Sequence, residues 1–223
     1  MEILRCTNIN KYYQSASGKE HVLKGVDFAL EENKLLFIQG VSGSGKTTLL
    51  NILGLLDLDY AGDYVFCGEN AKTCSVKQLE EQRNRDVAII FQKYNLFPQF
   101  TVLENIMFPL MYRDIKLTPS IKASAEKILT DIGMLDYKEK QIHELSGGQQ
   151  QRVAIGRSLL QAPKLLLADE PTANVDAQTE QIIMDLFATY KKTNTIVVVS
   201  HNSKYDTIAD AKIEIVNGVI THG

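Results

Sequence analysis

The apolar run Leu35-Leu36-Phe37-Ile38 leads through Gln39 into Gly40-Val41-Ser42-Gly43-Ser44-Gly45-Lys46-Thr47-Thr48, and Leu49-Leu50 follow. Glycine, four residues, then Gly-Lys-Thr is the spelling of a phosphate-binding loop, which requires a strand before it and a helix after it. The flanking residues supply both, so the motif commits the chain to an α/β core. Glycines let the backbone wrap closely around a phosphate chain. The wrapped N–H groups form an anion nest. The helix N-terminus adds its unpaired donors and its dipole. Lys46 brings a full positive charge to the outer phosphates, and the Thr47 hydroxyl is suited to ligate a Mg²⁺ held against them.

The chain has 223 residues, 44% hydrophobic and 23% charged, which is ordinary for one large globular domain or two small ones. A formal net charge of −3 offers no basic excess for nucleic acid. Cys6, Cys67 and Cys74 are odd in number and scattered, a pattern that suits a reducing cytosol better than a disulfide framework or a zinc site. Met1-Glu2-Ile3-Leu4-Arg5 does not read as a secretory signal, and no stretch reaches the ~18 apolar residues of a membrane span. Work at a membrane would need another chain to cross it.

Residues 2–9 and 22–30 read as strands, with Tyr12-Tyr13-Gln14-Ser15-Ala16-Ser17-Gly18 as a loop between them. An aromatic here can stack on a base, or lie half-buried on the chain's own surface. Residues 45–56 predict a helix, with Leu49, Leu50, Ile52, Leu53 and Leu56 on its apolar face. Ala61-Gly62-Asp63 reads as a turn into a strand at Tyr64-Val65-Phe66, and 75–84 as a polar helix. Residues 87–91 read as a buried strand with Gln92 at its end, a position fit for a ligand contact or for a plain capping glutamine. A mostly helical insert spans about 93–162. Within it, Thr101-Val102-Leu103-Glu104 spells a capping box. Residues 120–132 form an amphipathic helix with Ile121, Ala125, Ile128, Leu129 and Ile132 on one face, and Gly133 ends it.

Leu145-Ser146-Gly147-Gly148-Gln149-Gln150-Gln151-Arg152 opens a helix that runs to about residue 160, with Ser146 as its cap. Two glycines in its first turn cost roughly 1 kcal/mol each relative to alanine. That fits either backbone N–H groups that approach an anion or a flexible helix entry. Lys164-Leu165-Leu166-Leu167-Ala168-Asp169-Glu170 is a buried strand ending in two carboxylates. Successive strand residues point to opposite sides, so the two acids serve different purposes. Beside a phosphate loop, the acid at such a strand end holds Mg²⁺, which selects Asp169. Glu170 then leans toward the outer phosphate, where a carboxylate can polarise water. Residues 176–191 predict a helix and 195–199 a β-branched strand, after which Ser200-His201 lie on the ligand edge. A hairpin around Asn217-Gly218 closes the tail.

In this order, the pieces resemble the ATP-binding subunit of an ATP-binding-cassette (ABC) transporter over essentially the whole chain. The carriers are residues 40–47 (Walker A), Gln92 (Q-loop), Leu145-Ser146-Gly147-Gly148-Gln149 (signature), 165–169 with Glu170 (Walker B and catalytic carboxylate), Asn174-Val175-Asp176 (D-loop) and His201 (switch histidine). The signature is the most specific, since other phosphate-loop enzymes lack it. Phe91-Gln92-Lys93-Tyr94-Asn95-Leu96-Phe97-Pro98, residues 101–109 and Ala168-Asp169-Glu170-Pro171-Thr172-Ala173-Asn174 look like the macrolide-export, lipoprotein-release and antimicrobial-peptide-export group, to which the cell-division ATPase is close. Val175 replaces the usual D-loop leucine and Thr47-Thr48 the usual Ser-Thr; neither change removes a functional group.

The resemblance implies an α/β phosphate-loop NTPase core of ABC type with an antiparallel β subdomain and a helical insert, in one ATP-binding domain over 1–223. It implies an active, Mg²⁺-dependent ATPase. Tyr13 would stack on adenine, with Tyr12 as the fallback. Gly40, Val41, Ser42, Gly43, Ser44, Gly45, Lys46, Thr47 and Thr48 would hold the phosphates, and Thr47, Gln92 and Asp169 the metal. Glu170, His201 and Gln92 would be catalytic. Ser146, Gly147, Gly148, Gln149 and Asp176 would complete the ATP site of a second copy, in a head-to-tail sandwich dimer. An integral membrane permease would be the other partner, placing the chain in the cytoplasm at the inner face of the plasma membrane, with no nucleic acid bound. ABC-type ATPases of chromosomes and DNA repair separate these motifs with coiled-coil arms or zinc modules, and this chain has no heptad run or cysteine cluster to build them. A module that regulates a membrane complex without moving a substrate is the other functional class the sequence allows.

Overall fold

The computed structural model describes residues 1–15, 18–113 and 115–222. In chain order its elements are β1 (Glu2–Ser15), β2 (Gly18–Glu31), β3 (Leu35–Gln39), α1 (Lys46–Leu53), β4 (Ala61–Phe66), β5 (Glu69–Asn70), α2 (Val76–Arg85) and β6 (Val87–Ile90). There follow α3 (Val102–Tyr112), α4 (Pro119–Asp131), α5 (Gly147–Leu160), β7 (Leu165–Asp169), α6 (Ala177–Tyr190), β8 (Thr195–Ser200), β9 (Ala211–Val216) and β10 (Val219–His222). Two sheets result. One is antiparallel, ordered β2-β1-β4-β5; the other has six strands, ordered β10-β9-β3-β8-β7-β6. Neighbours from β9 to β6 in the second sheet pair in parallel, and β10 closes it antiparallel.

The continuous apolar runs of β3, β7 and β8 fit strands covered on both faces. Alternation divides their side chains between two cores. Leu35, Phe37, Leu166, Ala168, Ile196 and Val198 face one cluster with the apolar sides of α3 to α6. Leu36, Ile38, Leu165, Leu167, Val197 and Val199 face a second with α1 and the antiparallel sheet. The central sheet is therefore the middle layer, and the strand ends that emerge between the two cores are left for chemistry.

Several local expectations change. The strands 2–9 and 22–30 are parts of one long hairpin, in which Tyr12 pairs with His21 and Tyr13 with Glu20. Tyr12 and Tyr13 are strand residues, not loop residues; Ala16 and Ser17 of the expected loop lie outside the described residues. Gly62 belongs to β4 rather than to a turn. Its φ is +90°, and a Cβ there would sit 2.1 Å from the Asn8 carbonyl oxygen, so the glycine serves close strand approach. The helix after the phosphate loop stops at Leu53, where Tyr64 donates to the Leu53 carbonyl at 2.9 Å. Leu56, expected on the apolar face, is 46% exposed.

The insert follows its sequence signals. Thr101 and Glu104 form a reciprocal capping box on α3, and Ser146 and Gln149 one on α5. Ala125, Ile128, Leu129 and Ile132 are buried, with Ile121 packed at the margin. Asn105 is fully buried and holds the turn before α3. Its Oδ1 accepts from the Phe97 N–H at 2.8 Å, and its Nδ2 donates to the carbonyls of Phe97 (3.1 Å), Phe100 (3.3 Å) and Thr101 (3.0 Å). Deleting that side chain strands buried backbone groups, each costing about 1–3 kcal/mol. Asn105→Ala should lose about 2–4 kcal/mol in urea unfolding. A loss under about 0.5 kcal/mol, the range of ordinary surface changes, would show that the turn does not depend on Asn105.

Candidate active site

β3, β8 and β7 pair in register, Gln39 opposite Ser200 and Asp169 opposite Val199. Three loops therefore leave one edge of the sheet side by side. A cleft of about 770 Å³ opens there. It is lined by Tyr13, Val22, Val41, Ser42, Gly43, Gly45, Lys46, Thr47, Thr48, Gln92, Asp169, Glu170, Ala173 and His201.

The phosphate loop is braced from outside itself. Gly45 has φ +105°, and a Cβ on it would come within 2.8 Å of Leu23 Cδ2 on β2. The Gly218 N–H in the tail turn donates to the Ser44 carbonyl at 3.1 Å, and the Lys24 N–H donates to the Gly218 carbonyl at 2.8 Å. The tail hairpin thus ties the loop to β2, a role that no motif in the sequence signals. Gly40 and Ser44 sit behind the lining, both buried. Lys46 is 7% exposed and donates to the carbonyls of Gly40 (2.7 Å) and Val41 (2.9 Å), so its ammonium lies within the loop's own curve.

The two strand-end acids separate as alternation requires. Asp169 faces α1, where the Thr47 hydroxyl donates to its Oδ2 at 3.0 Å. Burial pushes the Asp169 carboxyl above its ordinary value; the Thr47 hydroxyl and the Lys46 ammonium oppose the rise, and the neighbouring Glu170 charge adds to it. Glu170 turns the other way. Its Oε2 accepts from the Ser200 hydroxyl at 2.7 Å, and its Oε1 lies 3.0 Å from His201 Nδ1. Glu170 has φ +46°, uncommon for a residue other than glycine. Its N–H donates to Val199 O at 2.9 Å and its carbonyl accepts from the Ala173 N–H at 3.2 Å.

Among the described residues, no cluster of three or more His, Cys, Asp or Glu side chains can hold a metal. The donors that do meet are one carboxylate (Asp169) and one hydroxyl (Thr47), with the Gln92 amide on the same lining. That oxygen set matches Mg²⁺, which binds through one or two protein groups and completes its shell with phosphate and water.

The structure separates the two tyrosines. Tyr12 stacks on His21 at 4.1 Å, with Lys19 Nζ 4.2 Å from its ring centroid, and it does not line the cleft. Tyr13 lines the cleft, and Lys11 Nζ lies 4.9 Å from its centroid. Lys11 is 3% exposed and donates to Asp57 Oδ1 (2.9 Å) and to the Asp59 carbonyl (2.5 Å), in the segment after α1. Burial works against its charge, but the two aspartates outweigh it and raise its pKa. A buried, fully paired ammonium thus backs the tyrosine; sequence reading missed it because Asp57 lies 46 residues away.

Ser146, Gly147, Gly148, Gln149 and Asp176 are not among the cleft-lining residues. Ser146 and Gly147 are exposed. Gly148 has a use inside the chain: a Cβ there would lie 3.0 Å from Thr179 Oγ1 on α6. Asp176 caps α6, accepting from the Thr179 N–H (2.9 Å) and hydroxyl (3.1 Å), and the N–H bond above all holds its carboxyl below the ordinary value.

Comparison with known proteins gives these features a context. The family model described as "ABC transporter" matches residues 23–173. A lipoprotein-releasing system ATP-binding protein, LolD, of Geobacter metallireducens is 37% identical over 218 residues, covering 97% of this chain and 96% of that protein. The macrolide export ATP-binding/permease protein MacB of Rhodopirellula baltica is 36% identical over 221 residues, 98% of this chain but 32% of that longer protein. Among solved structures, the dimeric post-hydrolysis state of the ATP-binding cassette MJ0796 bound to ADP and Pi superimposes with a TM-score of 0.90 at 30% identity, covering 99% of this chain and 97% of that one.

The position of Tyr13 predicts a division of labour. Base stacking on an aromatic contributes about 1–3 kcal/mol. Tyr13→Ala should therefore weaken ATP binding by roughly 5- to 150-fold in calorimetric titration, while Tyr12→Ala stays within about twofold. Inorganic tripolyphosphate, which has no base, should bind both variants as it binds the parent. Equal losses in the two variants would contradict the assignment.

Proposed function

The chain belongs to the ABC transporter family as an ATP-binding, ATP-hydrolysing subunit, and we propose from the cleft how its residues divide that work. The phosphate loop and Lys46 hold the phosphate chain, and Tyr13 carries the base. Asp169, Thr47 and Gln92 hold Mg²⁺, which neutralises phosphate charge when bound. Glu170 accepts a proton from the attacking water, and His201, 68% exposed on its side chain, reaches the outer phosphate. The protein's share is positioning and preorganised charge, which are the main sources of rate in phosphoryl transfer.

One observation carries the assembly: Ser146, Gly147, Gly148, Gln149 and Asp176 are all absent from the cleft lining, and Ser146 and Gly147 stand exposed. A second copy placed head to tail would bring its Ser146-Gly147-Gly148 helix start to the open side of the cleft, where N–H groups and helix dipole meet the outer phosphate. The MJ0796 cassette is dimeric in a post-hydrolysis state bound to ADP and Pi, in keeping with this arrangement. Residues 1–223 form one ATP-binding domain on this reading.

Among the described residues, no helix is long and apolar enough to cross a membrane. The chain works from the cytoplasm at the inner face of the plasma membrane, through a separate permease. LolD relatives, of similar length, are named for lipoprotein release, and MacB relatives carry their permease in the same chain. Export or extraction of a lipoprotein, peptide or drug-like molecule is therefore the substrate class. The ring cluster Phe97, Phe100, Phe108 and Tyr112, half-buried except for the exposed Tyr112 and following Gln92 in the chain, is the face for the permease.

Two tests follow. Glu170→Gln should double in mass on light scattering when ATP is added, and its turnover should fall by about 10²–10⁴. Adding Ser146→Arg should abolish the doubling. Parent-like hydrolysis by Glu170→Gln would remove Glu170 from its role. Thr47→Val keeps the shape of the side chain and drops the hydroxyl. It should lower Mg²⁺-supported turnover at least about tenfold while ATP binding in EDTA is unchanged; equal loss in both would assign Thr47 to the loop's shape.

A further inference from the structure

We infer that Ser200 is the residue that holds Glu170 in its working orientation; the inference rests on the reading of Glu170 as the group that activates water. Ser200 ends β8, and pairing of Asp169 with Val199 sets it beside Glu170. It is 1% exposed. A serine hydroxyl has one proton to give and two lone pairs. Here the Asn202 N–H donates to Ser200 Oγ at 3.1 Å, and the hydroxyl donates to Glu170 Oε2 at 2.7 Å. The accepted bond fixes the oxygen, which leaves the proton aimed at the carboxylate. The relay continues outward, since the Asn202 amide donates to Glu180 on α6, which Lys204 also pairs.

Glu170 needs such a support. It stands in a left-handed backbone turn just past the end of its strand, with no ladder beyond it to fix its side chain. Its other partner, His201, is mostly exposed, and the proposed function assigns it to the outer phosphate. A histidine that moves to the phosphate releases Oε1. The Ser200 hydroxyl is buried and does not have to move, so Oε2 stays pinned and Oε1 is freed toward the cleft and its water. Ser200 is thus a positioning residue that acts through Glu170.

The test uses the full chain, with ATP turnover and ATP binding measured side by side. Misplacing a reacting group by about 1 Å costs on the order of 10²-fold. Ser200→Ala should lower kcat by about 10- to 100-fold, with ATP affinity within about twofold. Ser200→Thr, which keeps the hydroxyl, should recover most of that loss. The double variant Ser200→Ala/Glu170→Gln should turn over no more slowly than Glu170→Gln alone, because two residues acting as one unit are not additive. Unchanged kcat in Ser200→Ala would overturn the inference. So would a fall in affinity matching the fall in kcat, or a further loss in the double variant. Parent-like turnover by Glu170→Gln would instead overturn the underlying reading of Glu170, and it is scored separately from the serine variants.

Discussion

The parallel, in-register pairing of β3, β8 and β7 is the constraint on which the cleft depends. Backbone hydrogen bonds align the strand ends, Gln39 with Ser200 and Asp169 with Val199. The alignment brings residues from the first, third and last parts of the chain to one edge. Both faces of these strands are buried, so a one-residue slip would exchange the two cores and is strongly disfavoured. The same alternation sends Asp169 to the phosphate-loop side and Glu170 to the other. The metal-holding and water-activating roles proposed for these two acids would thus be divided by a property of the β-strand rather than by a specialised device.

Around that frame the polar groups are fixed by partners distant in sequence. Lys11 is buried between Asp57 and Asp59 and backs Tyr13. Arg157 on α5 donates to the carbonyls of Asn95 (2.7 Å) and Tyr94 (3.1 Å), tying the segment after Gln92 to the signature helix. Gln151, on the same helix, donates to the Pro171 carbonyl at 2.8 Å, directly after Glu170. Unpaired, such groups would each cost several kcal/mol to bury. The Arg157 and Gln151 bonds join α5, which begins at the exposed signature, to segments next to Gln92 and Glu170.

Much of the fold was legible because its signals are local. The apolar runs of the central strands, the capping box at Thr101, the helix cap at Ser146, the amphipathic face of α4 and the Asn217-Gly218 turn each lie within one element. Two of the differences share one cause. Gly62 reads as a turn although it makes room for the Asn8 backbone, and Tyr12 and Tyr13 read as loop although they pair across a hairpin. A glycine or a polar strand residue carries the same local signal in either setting, and only its neighbour distinguishes them.

The sequence by itself determined the phosphate loop, the two carboxylates, the signature and the order of strands and helices, because spacing along the chain dictates backbone chemistry over a few residues. Tertiary structure decided which tyrosine reaches the cleft, that the tail hairpin braces the phosphate loop, that Ser200 joins His201 against Glu170, and that the signature stands apart from the cleft. These depend on contacts between segments tens to hundreds of residues apart. Such contacts follow from strand order and core packing, which no short stretch of sequence records.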